Sequence, residues 1–446
     1  MKERKNLMNG YTTRPISLAG YTENRKTISL SQMHEVSFKE LEEKAEGVVM
    51  YRDMHTDSSA GEGTPRDMQR LEAYKLEIAE VYRGRQDVFK GVLQNTSIKY
   101  TPGDSLLMWA PNSETVVQKL MELLSIQKDR VIEFTRVRIR GRAHVFSFAG
   151  RISEYFRYFL DVTSLPSKLS LFRLSQYAEK DSDKLAYLSS KEGSADYFAM
   201  GKNWNSLLDI LVQFSVKIPL ESLLEVAKEI KPRAFSLINQ ESNECEFIAG
   251  ILRNGESDCR EGHFSDYIMR VAQTENTPVS SESAEASGMI YRIRHKENIL
   301  FQLRSSTKNA LLFGIGTGVS PFISFIRNCK KDCVFTLFYG CKTEDENILA
   351  KTGIAWEAGL ESEYAGAKLF TTESPNVTVH VVYSQTNQSI RMGEFLQRNK
   401  EKIAARCREI STSGIYTCGN KQAMQSISQY FTAEHPEISQ HNDDWS

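Results

Sequence analysis

One stretch constrains the fold more than any other: Gly314-Ile315-Gly316-Thr317-Gly318-Val319-Ser320-Pro321-Phe322. It follows the apolar run Ala310-Leu311-Leu312-Phe313 and precedes Ile323-Ser324-Phe325-Ile326, an order that reads as strand, tight glycine turn and helix. Alternating glycines let a phosphate approach the backbone closely, and the helix start that follows favours an anion. Alone such a loop is a weak signal, because many strand-to-helix turns carry glycines for packing. The run from Asn309 to Ile326 also lacks charge and reaches the minimum length of a membrane span. Glycines, a proline and hydroxyl side chains interrupt it, so a buried strand-turn-helix is expected and membrane insertion is not.

A chain of 446 residues with 40% hydrophobic and 25% charged residues is expected to fold as two or three globular domains. The net charge of −1 offers no electrostatic footprint for nucleic acid. Seven scattered cysteines, with no Cys-x-x-Cys pair, predict reduced thiols in a cytoplasmic setting, without a disulfide frame or metal site. The opening Met-Lys-Glu-Arg-Lys-Asn has no apolar signal-peptide core.

Residues 1–70 are polar and include Ser58-Ser59-Ala60-Gly61-Glu62-Gly63-Thr64-Pro65, which reads as a disordered tail or linker with one short helix around Phe38 to Ala45. Strand patterns begin near Leu71, with 89–93 and 105–109 flanking a turn at Tyr100-Thr101-Pro102-Gly103-Asp104. Helical periodicity dominates residues 113–230, as in Val116, Val117, Leu120, Leu123 and Leu124. Inside that block, Arg136-Val137-Arg138-Ile139-Arg140-Gly141-Arg142 places arginines on one strand face, either solvated or docking an acidic electron-transfer partner. Beyond Arg233 short strands return, and from Ala310 strands alternate with helices, which argues for a parallel sheet covered on both faces.

The later strands end in Tyr339-Gly340-Cys341-Lys342, Tyr383-Ser384-Gln385 and Cys418-Gly419-Asn420. Ligands of open parallel sheets bind at the carboxyl ends of strands, so these turns and residues 314–318 are expected to line one crevice. Together with Pro232-Arg233-Ala234-Phe235-Ser236, Gly262-His263-Phe264-Ser265 and the terminal Trp445-Ser446, they resemble the ferredoxin–NADP reductase superfamily, specifically its diflavin reductase branch. The resemblance covers about residues 71–446. The family's Gly-Pro-Gly-Thr-Gly-(Ile/Val)-Ala-Pro-Phe loop is similar to residues 314–322, its Phe-Gly-Cys-Arg to 339–342, its Tyr-Val-Cys-Gly-Asp to 416–420, and its Arg-x-Tyr-Ser to 233–236.

The resemblance implies an antiparallel FAD-binding β-barrel at 71–112 and 231–305, a helical connecting domain inserted at 113–230, and a Rossmann-like parallel-sheet NADP-binding domain at 306–446. It implies that Arg233 pairs with the FAD pyrophosphate, Phe235 stacks on the isoalloxazine, Ser236 hydrogen-bonds near its reactive nitrogen, and Gly262, Phe264 and Ser265 complete the FAD site. For NADPH it implies Gly314, Gly316, Thr317, Gly318, Ser384, Arg391, Cys418, Gly419 and Met424, with Cys341 beside the nicotinamide and Trp445 covering the flavin.

Two departures stand out. Asn420 occupies a position where the family carries an acid, which predicts slow hydride transfer, because one lost electrostatic aid costs on the order of 10² to 10³ in rate. Gln385 replaces the arginine that pairs with the 2′-phosphate, with Ser389 and Arg391 at the following positions, so weak discrimination between NADPH and NADH is expected. Segments 189–197 and 207–211 resemble methionine synthase reductase most, which implies a role in methionine biosynthesis. No FMN domain is readable in residues 1–70, so FMN is expected only from a partner. The expected function is hydride transfer from NADPH to FAD and onward to an FMN-bearing or haem or cobalamin protein. The alternatives are a microsomal haemoprotein reductase-like or sulfite reductase flavoprotein-like activity, or a catalytically weak binding protein that retains the fold.

Overall fold

The computed structural model describes residues 16, 18, 35–40, 50–56, 69–140, 142–239, 243–254, 260–274, 288–303, 307–385 and 390–444. The carboxyl-terminal part is a seven-stranded sheet in the order Ala355–Glu361, Ala367–Thr372, Val377–Tyr383, Val334–Cys341, Asn309–Ile315, Gly414–Gly419 and Gln440–Asp444. The last five are mutually parallel, while the first two form an antiparallel hairpin at one edge. Alternation along Asn309–Ile315 explains the layering, since successive side chains leave opposite faces of a strand. Ala310 and Leu312 pack with helix Ser320–Arg327, whereas Leu311 and Phe313 pack with helices Met392–Arg398, Lys400–Glu409 and Lys421–Glu434. The uncharged run at 309–326 is therefore split between a strand, a turn and a helix. No helix among the described residues is long and apolar enough to cross a membrane.

The half that precedes it is antiparallel. One sheet runs Cys245–Gly250, Val88–Leu93, Tyr74–Tyr82 and Met289–Ile290, and another runs Arg292–Lys296, Ser105–Trp109 and Arg233–Ser236. Their inner faces and helix His263–Thr274 share one apolar core that includes Leu76, Phe89, Leu106, Phe247 and Ile268. Between Trp109 and Arg233 the chain leaves this barrel to form seven helices, from Glu114–Leu123 to Leu220–Val226, which pack in an apolar core of their own.

Two expectations are corrected. Residues 1–70 are not uniformly a tail: Glu35–Glu40 and Met50–Thr56 are strands, so the short helix expected around Phe38 is absent there. They flank the long hairpin Val131–Arg140 and Arg142–Arg151 in a five-stranded antiparallel sheet that also takes in Gln69–Arg70. Val36 and Phe38 pack on the helical core, a two-residue alternation too short to stand out in sequence but sufficient once the hairpin supplies a partner. Ile16 is also buried in that core, held by Gln213, whose amide bonds both the N–H (2.8 Å) and the carbonyl (3.3 Å) of Ile16.

The second correction concerns Arg136, which does not lie on a solvated face. It is fully buried, ion-paired with Glu229, and donates to the carbonyl oxygens of Leu224 and Ala227. The side chains of residues 138–140, 142 and 143, including the other arginines of the stripe, lie outside the described ones. A buried pair broken from one side leaves an uncompensated charge. Arg136→Ala is therefore expected to lower unfolding free energy by about 3–5 kcal/mol in urea denaturation, and the double change Arg136→Met with Glu229→Leu by much less.

Candidate functional site

The glycine loop does two different jobs. Strand Asn309–Ile315 gives way to a single 3₁₀ turn at Gly316–Val319, and helix Ser320–Arg327 starts with Pro321 in its first turn. Gly318 is a packing glycine: a Cβ there would fall 2.5 Å from both the Cys418 carbonyl oxygen and the Gly419 Cα. Gly316 has φ +57° and nothing within 4 Å of its would-be Cβ. It is the point at which a diphosphate can reach backbone without meeting a side chain. Ser320 turns its hydroxyl onto the Thr317 carbonyl at 2.6 Å, which closes the turn.

The neighbouring strand ends converge on this loop as the sheet dictates. Gly314 lies opposite Tyr339 on one side and Cys418 on the other, and Cys341 opposite Tyr383. The Ser384 N–H donates to the Cys341 carbonyl at 2.9 Å. Cys341 is buried, its thiol 3.6 Å from the Thr343 carbonyl, and burial together with the Glu346 carboxylate pushes its pKa up to about 12. Val81 and Tyr82 of the barrel pack on the same apolar layer, so the two halves meet at this end of the sheet.

Asn420 is the N-cap of helix Lys421–Glu434, its Oδ1 accepting the Ala423 N–H at 3.0 Å. Met424, one turn on, is buried. A carboxylate is nevertheless present, from a residue the motif comparison did not single out. Asp443 on the edge strand faces Cys418, with Oδ2 3.9 Å from its Sγ, and accepts from Asn298 Nδ2 at 3.0 Å. Burial first, and then this carboxylate, hold the Cys418 thiol far above the ordinary thiol range. The acidic Asp443-Asp444 before Trp445 was the available signal, hidden because its strand becomes visible only when paired with Gly414–Gly419.

Arg391 is exposed at the start of helix Met392–Arg398, and the N–H of Ile390 bonds the Tyr383 carbonyl at 3.3 Å, which places Arg391 near Ser384. Ser389 and Trp445 lie outside the described residues.

On the FAD side, Arg233 is exposed and Ser236 is buried on the same short strand. Ser236 Oγ has no hydrogen-bond partner in the protein, although buried hydroxyls ordinarily find one. An orphan donor on this strand fits a ligand acceptor such as a flavin ring nitrogen. Phe235 is half-buried, its ring 4.9 Å from that of Phe247 and 4.7 Å from that of Phe264. Phe264 itself is a core residue supporting Phe235. Gly262 precedes helix His263–Thr274, and Ser265 Oγ accepts the Leu252 N–H at 2.9 Å, which fixes the turn. Among the described residues no group of His, Cys, Asp and Glu is arranged to hold a metal ion.

Residues 92–251 match the model of the FAD binding domain, and residues 312–429 that of the oxidoreductase NAD-binding domain. The chain is 22% identical to NADPH–cytochrome P450 reductase of Bos taurus over 351 residues, 74% of this chain and 49% of that protein. It is 26% identical to methionine synthase reductase of Homo sapiens over 295 residues, 58% of this chain and 41% of that protein. The mouse protein of that name is 25% identical over 382 residues, 74% of this chain and 51% of that protein. The chain thus spans about half the length of the curated relatives it matches. Among solved structures, a mutant ferredoxin–NADP⁺ reductase from Plasmodium falciparum with 2′P-AMP aligns at TM-score 0.40 and 12% identity, over 84% of this chain and 96% of that one. With an FAD binding domain at residues 92–251 and an oxidoreductase NAD-binding domain at 312–429, the chain belongs with the FAD- and NADP-binding oxidoreductases.

Proposed function

We propose that this chain takes hydride from NADPH onto FAD and passes electrons to a separate redox protein, an FMN-bearing domain or a haem or cobalamin protein, in the manner of methionine synthase reductase. The observation that carries this reading is the buried Ser236 hydroxyl without a protein partner, on a strand that begins with an exposed arginine. FAD, when bound, accepts an electron pair and releases electrons singly, chemistry that no side chain supplies.

The protein's part is to bind, orient and bias charge. Arg233 would pair with the FAD pyrophosphate. Ser236 Oγ would donate to the flavin, and Phe235, braced by Phe247 and Phe264, would support the ring. Backbone at Gly316 and the Thr317 hydroxyl would hold the NADPH diphosphate, and Ser384 and Arg391 the 2′-phosphate. Cys341 stays a neutral thiol and shapes the nicotinamide pocket without adding charge. Asp443, beside Cys418, would supply the negative charge that Asn420 lacks. The 26% and 25% identities to methionine synthase reductases, against 22% to the cattle P450 reductase, favour the former class of acceptor.

Rapid anaerobic mixing of FAD-loaded protein with NADPH should bleach the flavin, with Asp443→Asn slowing this on the order of 10² to 10³-fold. Asn420→Asp should change it little, because the residue-420 side chain already caps a helix; a protein that takes up no FAD would instead be a scaffold. Arg391→Ala should raise KM for NADPH while leaving that for NADH near its starting value; an equal effect on both would remove Arg391 from the 2′-phosphate site. Because the Cys341 pKa is raised, the folded protein keeps its proton while the unfolded chain loses one above about pH 9. Its contribution to stability is thus present below that pH and lost toward pH 12. Iodoacetamide should accordingly label Cys341 far more slowly than a free thiol at neutral pH, the rate still climbing beyond about pH 9.

A further inference from the structure

The turn that opens helix His263–Thr274 follows a ribbon too small to hold itself. Arg253–Asn254 and Arg260–Glu261 pair antiparallel over two residues each, and Gly262 comes next. Such a ribbon is marginal without side-chain anchors. On one side Arg253 bonds the fully buried Asp87 at 2.8 Å and Glu261 at 3.1 Å.

On the other side the anchor is in the helical layer. Arg260 forks onto Asp209 of helix Leu207–Gln213, with NH1 2.9 Å from Oδ2 and NH2 3.1 Å from Oδ1. Its NH1 also donates to the Trp204 carbonyl at 2.8 Å. Asp209 is fully buried and already accepts the N–H and hydroxyl of Ser206, both at 2.8 Å. Trp204 has φ +55°, a left-handed conformation costly for an aromatic residue, and the guanidinium fastens its carbonyl. Asn254 Nδ2 adds a bond to the Lys202 carbonyl at 3.1 Å.

A forked pair on a buried carboxylate fixes geometry as well as supplying energy. We propose that Arg260 is a positioning residue for FAD: locked on Asp209, it sets the turn at residues 262–265 before the ligand arrives, so that the helical layer controls affinity for the pyrophosphate half of FAD. The inference rests on the reading of Gly262 and Ser265 as part of that site. A preset turn spares the ordering cost of binding, and only a ligand that uses the turn gains from it.

Riboflavin lacks the pyrophosphate and adenosine, so the two flavins separate this role from a general loss of fold. Both are titrated into the apo-protein by quenching of flavin fluorescence. In Arg260→Gln, FAD affinity is expected to fall on the order of tenfold while riboflavin affinity stays within about twofold. Arg260→Lys, which keeps charge but loses the fork, is expected to fall between, and it carries the test if Arg260→Gln does not fold. Amide hydrogen exchange at residues 260–265 of the apo-protein should rise in step. Equal losses for the two flavins, or none for either, overturn the proposal. Gly262→Val separates the clamp from the turn, since a Cβ at Gly262 meets nothing nearer than 3.7 Å. Lost FAD affinity there with Arg260→Gln unaffected removes Arg260 alone; unchanged affinity there removes the turn from the FAD site and the proposal with it.

Discussion

The site depends on one contact between two pieces of backbone, the seating of Gly318 on Cys418 and Gly419. No Cβ fits between them, because it would lie 2.5 Å from atoms of both residues. The strands that lead into these turns are hydrogen-bonded neighbours, so the contact welds two strand ends that the sheet already places side by side. Everything chemical is referred to it. It lifts Gly316 outward, aims the Cys418–Gly419 turn beneath the loop, and lets Asn420 start helix Lys421–Glu434 from a fixed point. The edge strand Gln440–Asp444 pairs with the same strand, Gly414–Gly419, which delivers Asp443.

The layers of the molecule are joined by buried charge as well as apolar area. Asp104 accepts from the Thr101 and Asn298 N–H groups, lies 2.9 Å from His295 Nε2, and takes Gln302 Nε2 at 2.8 Å. Asn298 in turn holds Asp443, so an aspartate of the barrel is connected to the end of the last strand. Arg292 sits among the rings of Tyr51, Trp109 and Phe159, which come from the amino-terminal strand, the barrel and the helical layer. Each of these groups would be costly to bury alone and becomes tolerable only when neighbours satisfy it. The joints are thereby made specific in register, which apolar contact alone does not ensure.

The NADP half was legible because it repeats one physical pattern. Apolar runs that end in glycine or small polar turns mark parallel strands, and 310–313, 334–339, 377–383 and 414–418 all fall within observed strands. The edge hairpin at Ala355–Glu361 was not legible: Glu357, Gly359 and Glu361 interrupt the apolar pattern, and its register shifts midway. Arg136 misled because alternation identifies a strand face without saying whether that face meets water or, as here, Glu229. Asn420 was legible as a departure but not as a helix cap, a role that depends on backbone geometry at Ala423. The amino-terminal strands were missed because their stability comes from the hairpin at 131–151, distant in sequence.

The most direct test of this account is the affinity for NADP⁺ of the FAD-loaded protein carrying Gly316→Asn, measured by calorimetry beside the unaltered chain. Asparagine tolerates the left-handed backbone that Gly316 adopts, and its side chain would project into the open space above the loop. The account predicts a protein that keeps its fold and its FAD yet binds NADP⁺ at least about tenfold more weakly, because the added group stands where the diphosphate approaches. Unchanged NADP⁺ affinity in a folded Gly316→Asn protein would contradict it.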